Sequence, residues 1–128
     1  MKFVISTKNK NEIIDITDKV SSLIANSKNK DGVIVLNILH TTCALTTADL
    51  DPGTDEDLLE AFRKMLPKIS YRHPHDPSHT EDHILSSIIG TSLVINFENG
   101  KLTLGTWQRI ILVELNGPKE REISYQII

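Results

Sequence analysis

Five histidines are the residues of this sequence best suited to chemistry, and four of them fall within one short segment. His40 follows an apolar run, and the other four lie between Tyr71 and Gly90: His73, His75, His79 and His83. Imidazole is the side chain most often used for proton transfer and transition-metal binding near neutral pH. The cluster therefore indicates either a site assembled from separate segments or a polar loop whose histidines only form hydrogen bonds.

The spacing of the histidines does not decide between these two interpretations. His79 and His83 are four residues apart, which would place both rings on one face of a helix. An HExxH zinc motif is absent, because position 80 is Thr and Glu81 stands one place later. A catalytic zinc ion commonly takes three protein ligands and leaves one position open, so His40 could complete such a set from another element.

Two carboxylates could take part in the same site. Asp51 precedes Pro52 in an acidic stretch, only some ten residues after His40. Glu114 and Gln108 are an even number of residues apart on one predicted strand, so their side chains lie on the same face and could point at one site. The alternative for Glu114 is a buried ion pair with Arg121 or Arg72.

Trp107 and Cys43 each have a structural and a functional interpretation. Trp107 follows a polar turn in LGTWQRI, so it could line a site or anchor the sheet. Cys43 is close to His40, as a nucleophile would be. It lies in a predicted strand beside apolar residues, where cysteine usually packs as a small hydrophobic side chain. We therefore predict that Cys43 packs in the core.

Periodicity and turn residues predict an α+β fold with mostly antiparallel sheets and the order ββαββααβββ. The predicted strands cover residues 2–7, 11–17, 33–39, 43–48, 92–97, 106–115 and 121–128, and the helices cover 18–26, 51–66 and 81–90. The nearly continuous apolar run at 33–39 predicts a strand buried on both faces. A polar turn at 8–11 predicts an opening hairpin, and Asn99-Gly100 and Asn116-Gly117 predict two more.

Composition is typical of one globular domain spanning residues 1–128. The chain has a net charge of −3, 39% hydrophobic residues and 24% charged residues. Charges of both signs are interspersed, so nothing favours nucleic acid as a partner. No apolar stretch approaches the ~20 residues of a membrane span. A single cysteine and the absence of a targeting segment favour a reducing compartment, and we expect a cytoplasmic protein.

Five segments, in this order along the chain, resemble the YjbQ-like family, whose members are described as secondary thiamine-phosphate synthases. The segments are HTTCALT (40–46), Asp-Pro (51–52), YRH (71–73), HILSSIIGTSL (83–93) and GKLTLGTWQ (100–108). The resemblance runs from about Val33 to Glu114, and the GxLxLGTWQ signature is its most specific part. It implies an α+β fold assembled around a threefold axis, so a homotrimer is expected.

The resemblance also implies the site. It selects His40, His73 and His83 as ligands of a divalent metal, with zinc suited to imidazole donors. His75 and His79 would lie in a loop that varies within the family. Together with the carboxylates proposed above, the candidate catalytic residues are His40, His83, Asp51, Glu114 and Gln108, and the candidate substrate contacts are Trp107, Thr41, Asp49 and Arg72. Ala48-Asp49 departs from the Asn-Glu usual in the family, which alters the contacts expected there.

The implied reaction joins hydroxymethylpyrimidine pyrophosphate to thiazole phosphate and releases pyrophosphate, so the partner is a small molecule. Arg72 or Arg109 would meet phosphate. One alternative is a zinc-dependent hydrolase of a phosphoester or amide, with Asp49, Asp51 or Glu114 as the base. Others are a trimeric metabolite- or metal-binding protein without turnover, and histidines that only hydrogen-bond at a subunit interface.

Overall fold

The computed structural model describes residues 1–128 and contains eight strands and three α-helices. The strands are β1 (Lys2–Ser6), β2 (Glu12–Asp15), β3 (Gly32–Ile38), β4 (Cys43–Ala48), β5 (Ser92–Glu98), β6 (Lys101–Leu102), β7 (Arg109–Glu114) and β8 (Glu120–Ile127). The helices are α1 (Thr17–Ala25), α2 (Thr54–Lys64) and α3 (Thr80–Ile89), and a short 3₁₀ turn, Pro77–His79, leads into α3. The predicted order is confirmed, except that the two-residue strand β6 was not predicted.

The strands form two sheets, in which every pair is antiparallel, as predicted. The larger sheet has the order β1-β8-β3-β5-β6, and the smaller has the order β2-β7-β4. The Asn99-Gly100 turn is confirmed, and both of its residues have positive φ, 53° and 73°. It pairs β5 with the unpredicted β6, however, and not with the strand predicted at 106–115, which lies in the other sheet. The fold is therefore α+β, with the two sheets as separate layers.

The smaller sheet is the middle layer of the molecule, so its strands are buried on both faces. On β7, Ile110 and Leu112 pack into the core shared with the larger sheet and α1. Ile111 and Val113 point the other way, into a second core that includes Leu85 of α3. Because the larger sheet is an outer layer, β3 buries only alternate residues and exposes Asn37. The prediction that β3 is buried on both faces is therefore wrong, and β7 has this property instead.

Two of the predicted hairpins are also wrong. Strand β1 pairs with β8 in the larger sheet, whereas β2 pairs with β7 in the smaller one. Consequently, the β1–β2 and β7–β8 connections both cross between sheets, and they lie side by side. Thr7 N donates to Lys119 O at 2.9 Å, and Gly117 N donates to Lys10 O at 2.9 Å. A polar turn reveals that the chain reverses, but it does not reveal which sheet the next strand joins.

Helix α3 is fixed against the middle layer and carries His83. Leu85 and Ser86 of this helix are buried. The Ser86 hydroxyl donates to the carbonyl oxygen of Cys43 at 2.7 Å, which ties the helix to the start of β4. The longest helix, α2, has 11 residues, and none of the three is both long and apolar enough to cross a lipid bilayer.

Candidate functional site

A cleft between the loop that follows β3 and helix α3 gathers several of the predicted site residues. Three of them, His40, Thr41 and His83, line both of its halves. One half has a volume of about 460 Å³ and is completed by Leu39, Thr42, His79, Asn116, Lys119 and Arg121. The other half, about 580 Å³, is completed by serines, Gly90 and Thr91. No carboxylate lines either half, so the cleft suits an anionic ligand.

His83 has a ring nitrogen free for chemistry. Its Nδ1 lies 3.0 Å from the carbonyl oxygen of Thr41. Because a carbonyl can only accept a hydrogen bond, Nδ1 carries a proton, and in the neutral ring Nε2 keeps its lone pair. Metal-binding and proton-accepting histidines are commonly oriented by such a bond.

His40 is held as a neutral ring. Its Nε2 accepts a hydrogen bond from the backbone N–H of Glu122 at 2.8 Å. The proton of the neutral ring is therefore on Nδ1. Partial burial, assisted by the positive charge of Arg121, holds the pKa of His40 below its usual value. His40 thus offers the cleft an N–H donor rather than a lone pair.

His73 lies against His83 but lines neither half of the cleft. The two rings are stacked, with centroids 5.0 Å apart and planes 12° from parallel. His73 Nδ1 accepts the backbone N–H of Asp76 at 3.2 Å, so its proton is on Nε2. His79 does line the cleft, where its Nε2 lies 3.2 Å from an Asp76 carboxylate oxygen.

The three predicted metal ligands do not fit one metal ion within a single chain. No three His, Cys, Asp or Glu side chains are placed so that they could hold a metal. The lone pairs of His40 and His73 accept backbone hydrogen bonds. In addition, the stacked rings of His73 and His83 hold their lone pairs in nearly parallel planes, which do not converge on one point. Zinc binding by His40, His73 and His83 therefore stays a prediction. It would need either ligands from another chain or a rearrangement of these three side chains.

Glu114 is fully buried and bound to Arg121. Its carboxylate accepts Arg121 Nε at 2.9 Å, the Thr7 hydroxyl at 2.6 Å and the backbone N–H of Leu115 at 3.0 Å. Burial alone would raise the pKa of Glu114, but the hydrogen bonds from Arg121 and Thr7 outweigh it and hold the pKa below its usual value. The alternative of a buried pair with Arg121 is therefore correct, and this burial gives Glu114 no access to a substrate of the kind that the predicted catalytic role needs.

The surroundings of the Glu114–Arg121 pair connect it to the cleft. Arg121 Nη2 donates to the Thr42 hydroxyl at 2.9 Å and to the Thr42 carbonyl oxygen at 3.1 Å. Gly117 crosses directly over the pair, where a Cβ atom would lie 2.3 Å from the Asn9 carbonyl oxygen and 2.9 Å from Glu114 Cγ. Only glycine fits this crossing without moving the backbone.

Other predicted site residues lie in a separate pocket at the far end of β4 and β7. Asp49, Asp51 and Trp107 line this 330 Å³ pocket together with Asp15 and Arg109. Trp107 is 71% exposed. The β4–β7 pair separates this pocket from the histidine cleft by about 20 Å, at ~3.3 Å per strand residue.

Gln108 belongs to the same far end. Its side-chain oxygen accepts the Gly105 N–H at 3.0 Å and its amide donates to the Thr47 hydroxyl at 2.9 Å, so it braces the turn before β7. Gln108 and Glu114 share a parity, as predicted, but parity fixes only the face of a strand and not the position along it. The idea that both point at one site within a chain is therefore wrong.

Two predicted residues lie outside both pockets. Arg72 is exposed and lines neither of them. Cys43 is buried, and burial raises the pKa of its thiol to about 12, so it stays protonated and packs in the core. That packing was predicted.

Asn116, Lys119 and Arg121 all line the cleft, although none of them was predicted from the sequence to be a site residue. The sequence did contain a signal for Arg121. It lies two residues before the apolar Ile123 in a strand, so both side chains are on the same, buried face. A charged residue on the buried face of a strand indicates a partnered or functional group.

Comparison with known proteins relates the whole chain to one family. Residues 1–128 match the family described as UPF0047 protein, YjbQ-like. A UPF0047 protein of Archaeoglobus fulgidus is 37% identical over 124 residues, covering 96% of each chain. The UPF0047 protein YugU of Bacillus subtilis is 34% identical over 118 residues, covering 91% of this chain and 89% of YugU.

Solved structures agree with the sequence comparison. A YbjQ-like protein of unknown function from Sulfolobus solfataricus has a TM-score of 0.91 at 32% identity, covering 99% of this chain and 94% of that one. An uncharacterized YjbQ/UPF0047 protein from Clostridium acetobutylicum has a TM-score of 0.90 at 36% identity, covering 100% and 99%.

We predict that Glu114→Gln lowers the free energy of unfolding at pH 7 by about 3 kcal/mol, since it leaves the buried Arg121 charge unpaired. Urea denaturation measures the loss, and Glu98→Gln, an exposed change at the end of β5, is the control. The pKa of Glu114 is lowered by folding, so its contribution is complete above the unfolded pKa and is lost as the pH falls through the folded one. The difference between wild type and variant should therefore shrink on acidification below about pH 4. A difference that stays constant with pH contradicts this role.

Proposed function

The chain belongs to the YjbQ-like UPF0047 family, and from that premise we propose that it is an enzyme acting on a small phosphorylated metabolite in the cleft between His40 and His83. The observation that carries the proposal is the state of His83, whose Nδ1 is engaged by Thr41 O at 3.0 Å. Its Nε2 is left free in a cleft that no carboxylate lines.

The charges around the cleft favour a phosphate-bearing substrate. Lys119 and Arg121 line one half, and neutral His40 adds a donor through Nδ1–H. Preorganised donors and cations of this kind stabilise negative charge that develops on a leaving phosphate or diphosphate. The same groups would attract the anionic substrate to the cleft.

The specific reaction that we propose is the thiamine-phosphate synthase reaction implied by the resemblance. The ring nitrogen of thiazole phosphate attacks the methylene carbon of hydroxymethylpyrimidine pyrophosphate and forms a C–N bond. The C–O bond to the diphosphate breaks, and the diphosphate leaves with the electron pair. Lys119 would stabilise the charge on the leaving group, and His83 Nε2, which first takes a proton from water, would give that proton to the leaving oxygen.

The divalent metal that the resemblance implies stays a separate proposal. Zinc suits imidazole donors, but the donors of one chain do not converge on a single ion. We therefore assign no step to a metal. If zinc binds, His83 Nε2 would be a ligand, and His40 and His73 would have to give up the hydrogen bonds that occupy their lone pairs.

We also propose that the working form is the expected homotrimer. Asp51, Trp107 and Gln108 belong to the same family resemblance as the histidines, yet they lie at the opposite end of the β4–β7 pair. A second copy could bring its Trp107 end to the histidine cleft of its neighbour. Exposed Trp107 is suited to such a contact, because aromatic side chains are enriched at interfaces.

The hydrolase alternative has less support. It needs a carboxylate as base near the histidines, but Asp49 and Asp51 line the far pocket and Glu114 is buried against Arg121. A binding protein without turnover has the same cleft, so only an assay of product separates it from the enzyme.

We predict that wild-type protein releases pyrophosphate from the two thiamine-phosphate precursors and that His83→Ala reduces kcat by about 10²–10⁴-fold, the usual contribution of a proton-transfer group. His75→Ala is the matched control, since His75 is exposed and lines no part of the cleft. Pyrophosphate release and thiamine phosphate are both measured. Absence of product from wild type rejects the synthase, and equal rates in wild type and His83→Ala reject the role of His83.

We predict a solution mass three times that of the 14.4 kDa chain. If the proposed zinc site forms once His40 and His73 give up their backbone hydrogen bonds, purification with added zinc leaves one zinc per chain. Light scattering measures the mass and elemental analysis measures the metal. His73→Ala should lower the zinc content, and His75→Ala should not. A monomer contradicts the trimer, and metal-free protein contradicts the zinc site.

A further inference from the structure

We infer that Arg121 is a phosphate-binding residue of the cleft, which holds a terminal phosphate group of the substrate through its Nη1 nitrogen. The inference rests on the proposed function, since it names the group that would select a phosphorylated substrate. It assigns to Arg121 a binding role in addition to its pairing with Glu114.

The hydrogen bonds of Arg121 leave one nitrogen unused. Nε donates to Glu114 at 2.9 and 3.2 Å, and Nη2 donates to Thr42. Nη1 has no partner in the chain. A guanidinium carries five N–H donors, so two of them remain on Nη1.

We place the unused nitrogen at the wall of the cleft. Arg121 is only 1% exposed as a residue, yet it lines the same half of the cleft as Lys119 and His83. The only enclosed side-chain polar atoms that lack a partner are Thr80 Oγ1 and Asp82 Oδ2. Nη1 is not one of them, so it is not fully enclosed, and the cleft is the space that Arg121 lines.

The surroundings of Nη1 favour phosphate over other ligands. Glu114 and Thr42 fix the guanidinium plane, so Nη1 loses little freedom when a ligand binds. Because Glu114 balances the charge of Arg121, the pair contributes directed N–H donors, and Lys119 contributes net positive charge. The two N–H groups on Nη1 can donate to phosphate oxygens, and hydrogen bonds between a guanidinium and a phosphate are among the stronger ones.

An arginine with a purely structural role would have the same bonds to Glu114 and Thr42. In that case Nη1 would only be hydrated, and an anion would not depend on it. The two roles therefore differ in how strongly phosphate binding depends on the guanidinium group.

The first test is calorimetric titration of the full-length protein with inorganic pyrophosphate. Arg121→Lys keeps a positive charge for Glu114 but removes Nη1, so we expect binding at least 10-fold weaker than in wild type. Lys68→Met, an exposed lysine that lines neither half of the cleft, should bind as wild type does. Equal affinity in wild type and Arg121→Lys, or no binding to wild type, overturns the inference.

A second measurement needs no variant and stays decisive if Arg121→Lys fails to fold. In wild type labelled with ¹⁵N-arginine, pyrophosphate should shift the guanidinium signal of Arg121. Arg63 is the internal control, because it pairs with Asp82 and does not line the cleft. An Arg121 signal that moves no more than that of Arg63 overturns the inference.

The outcomes separate this inference from the proposed function. Binding that depends on Arg121, without any turnover, leaves the phosphate site intact and rejects the enzyme. Turnover that depends on His83, with an unmoved Arg121 signal, supports the enzyme and rejects the phosphate site.

Discussion

The buried ion pair between Glu114 and Arg121 is the interaction on which the rest of the structure depends. It joins β7 of the middle sheet to β8 of the outer sheet, where two connections cross between the layers. Removing two charges from water costs roughly several kcal/mol per ion, unless hydrogen-bond partners for the carboxylate and for most of the guanidinium N–H groups offset that cost. Thr7, Thr42 and the backbone of residues 115–116 supply those partners. Gly117 has no side chain to block the crossing.

The state of the histidines follows from the same pair. Arg121 donates a hydrogen bond to Thr42. Glu122, which follows Arg121 in the chain, donates its backbone N–H to His40. Between His40 and Thr42, the Thr41 carbonyl orients His83. One ring is thus made a donor toward the cleft and the other an acceptor, in a space without carboxylates. The Glu114–Arg121 pair thus positions both the proton-transfer group, His83, and the anion-binding surface of the cleft. The pair itself takes no part in proton transfer.

Local sequence predicted the parts of this structure that depend on local interactions. The order of the elements, the Asn99-Gly100 turn and the packing of Cys43 follow from neighbouring residues. The partners of β1 and β2 do not, because strand pairing is decided by residues a hundred positions away. His40 and His83 do line one cleft, as the family motifs suggested. Their hydrogen-bonded states, and the part played by Arg121, depend on backbone groups that side-chain spacing does not reveal.

The most direct test is the side-chain ¹⁵N spectrum of the histidines near neutral pH, in wild type and in folded Glu114→Gln protein. In wild type, His40 and His83 should carry the proton on Nδ1, and His73 should carry it on Nε2. Loss of the buried pair should mix the tautomers of His40 and leave those of His73 unchanged. A wild-type His40 protonated on Nε2, or one that is indifferent to Glu114→Gln, would contradict the claim that this pair sets the site.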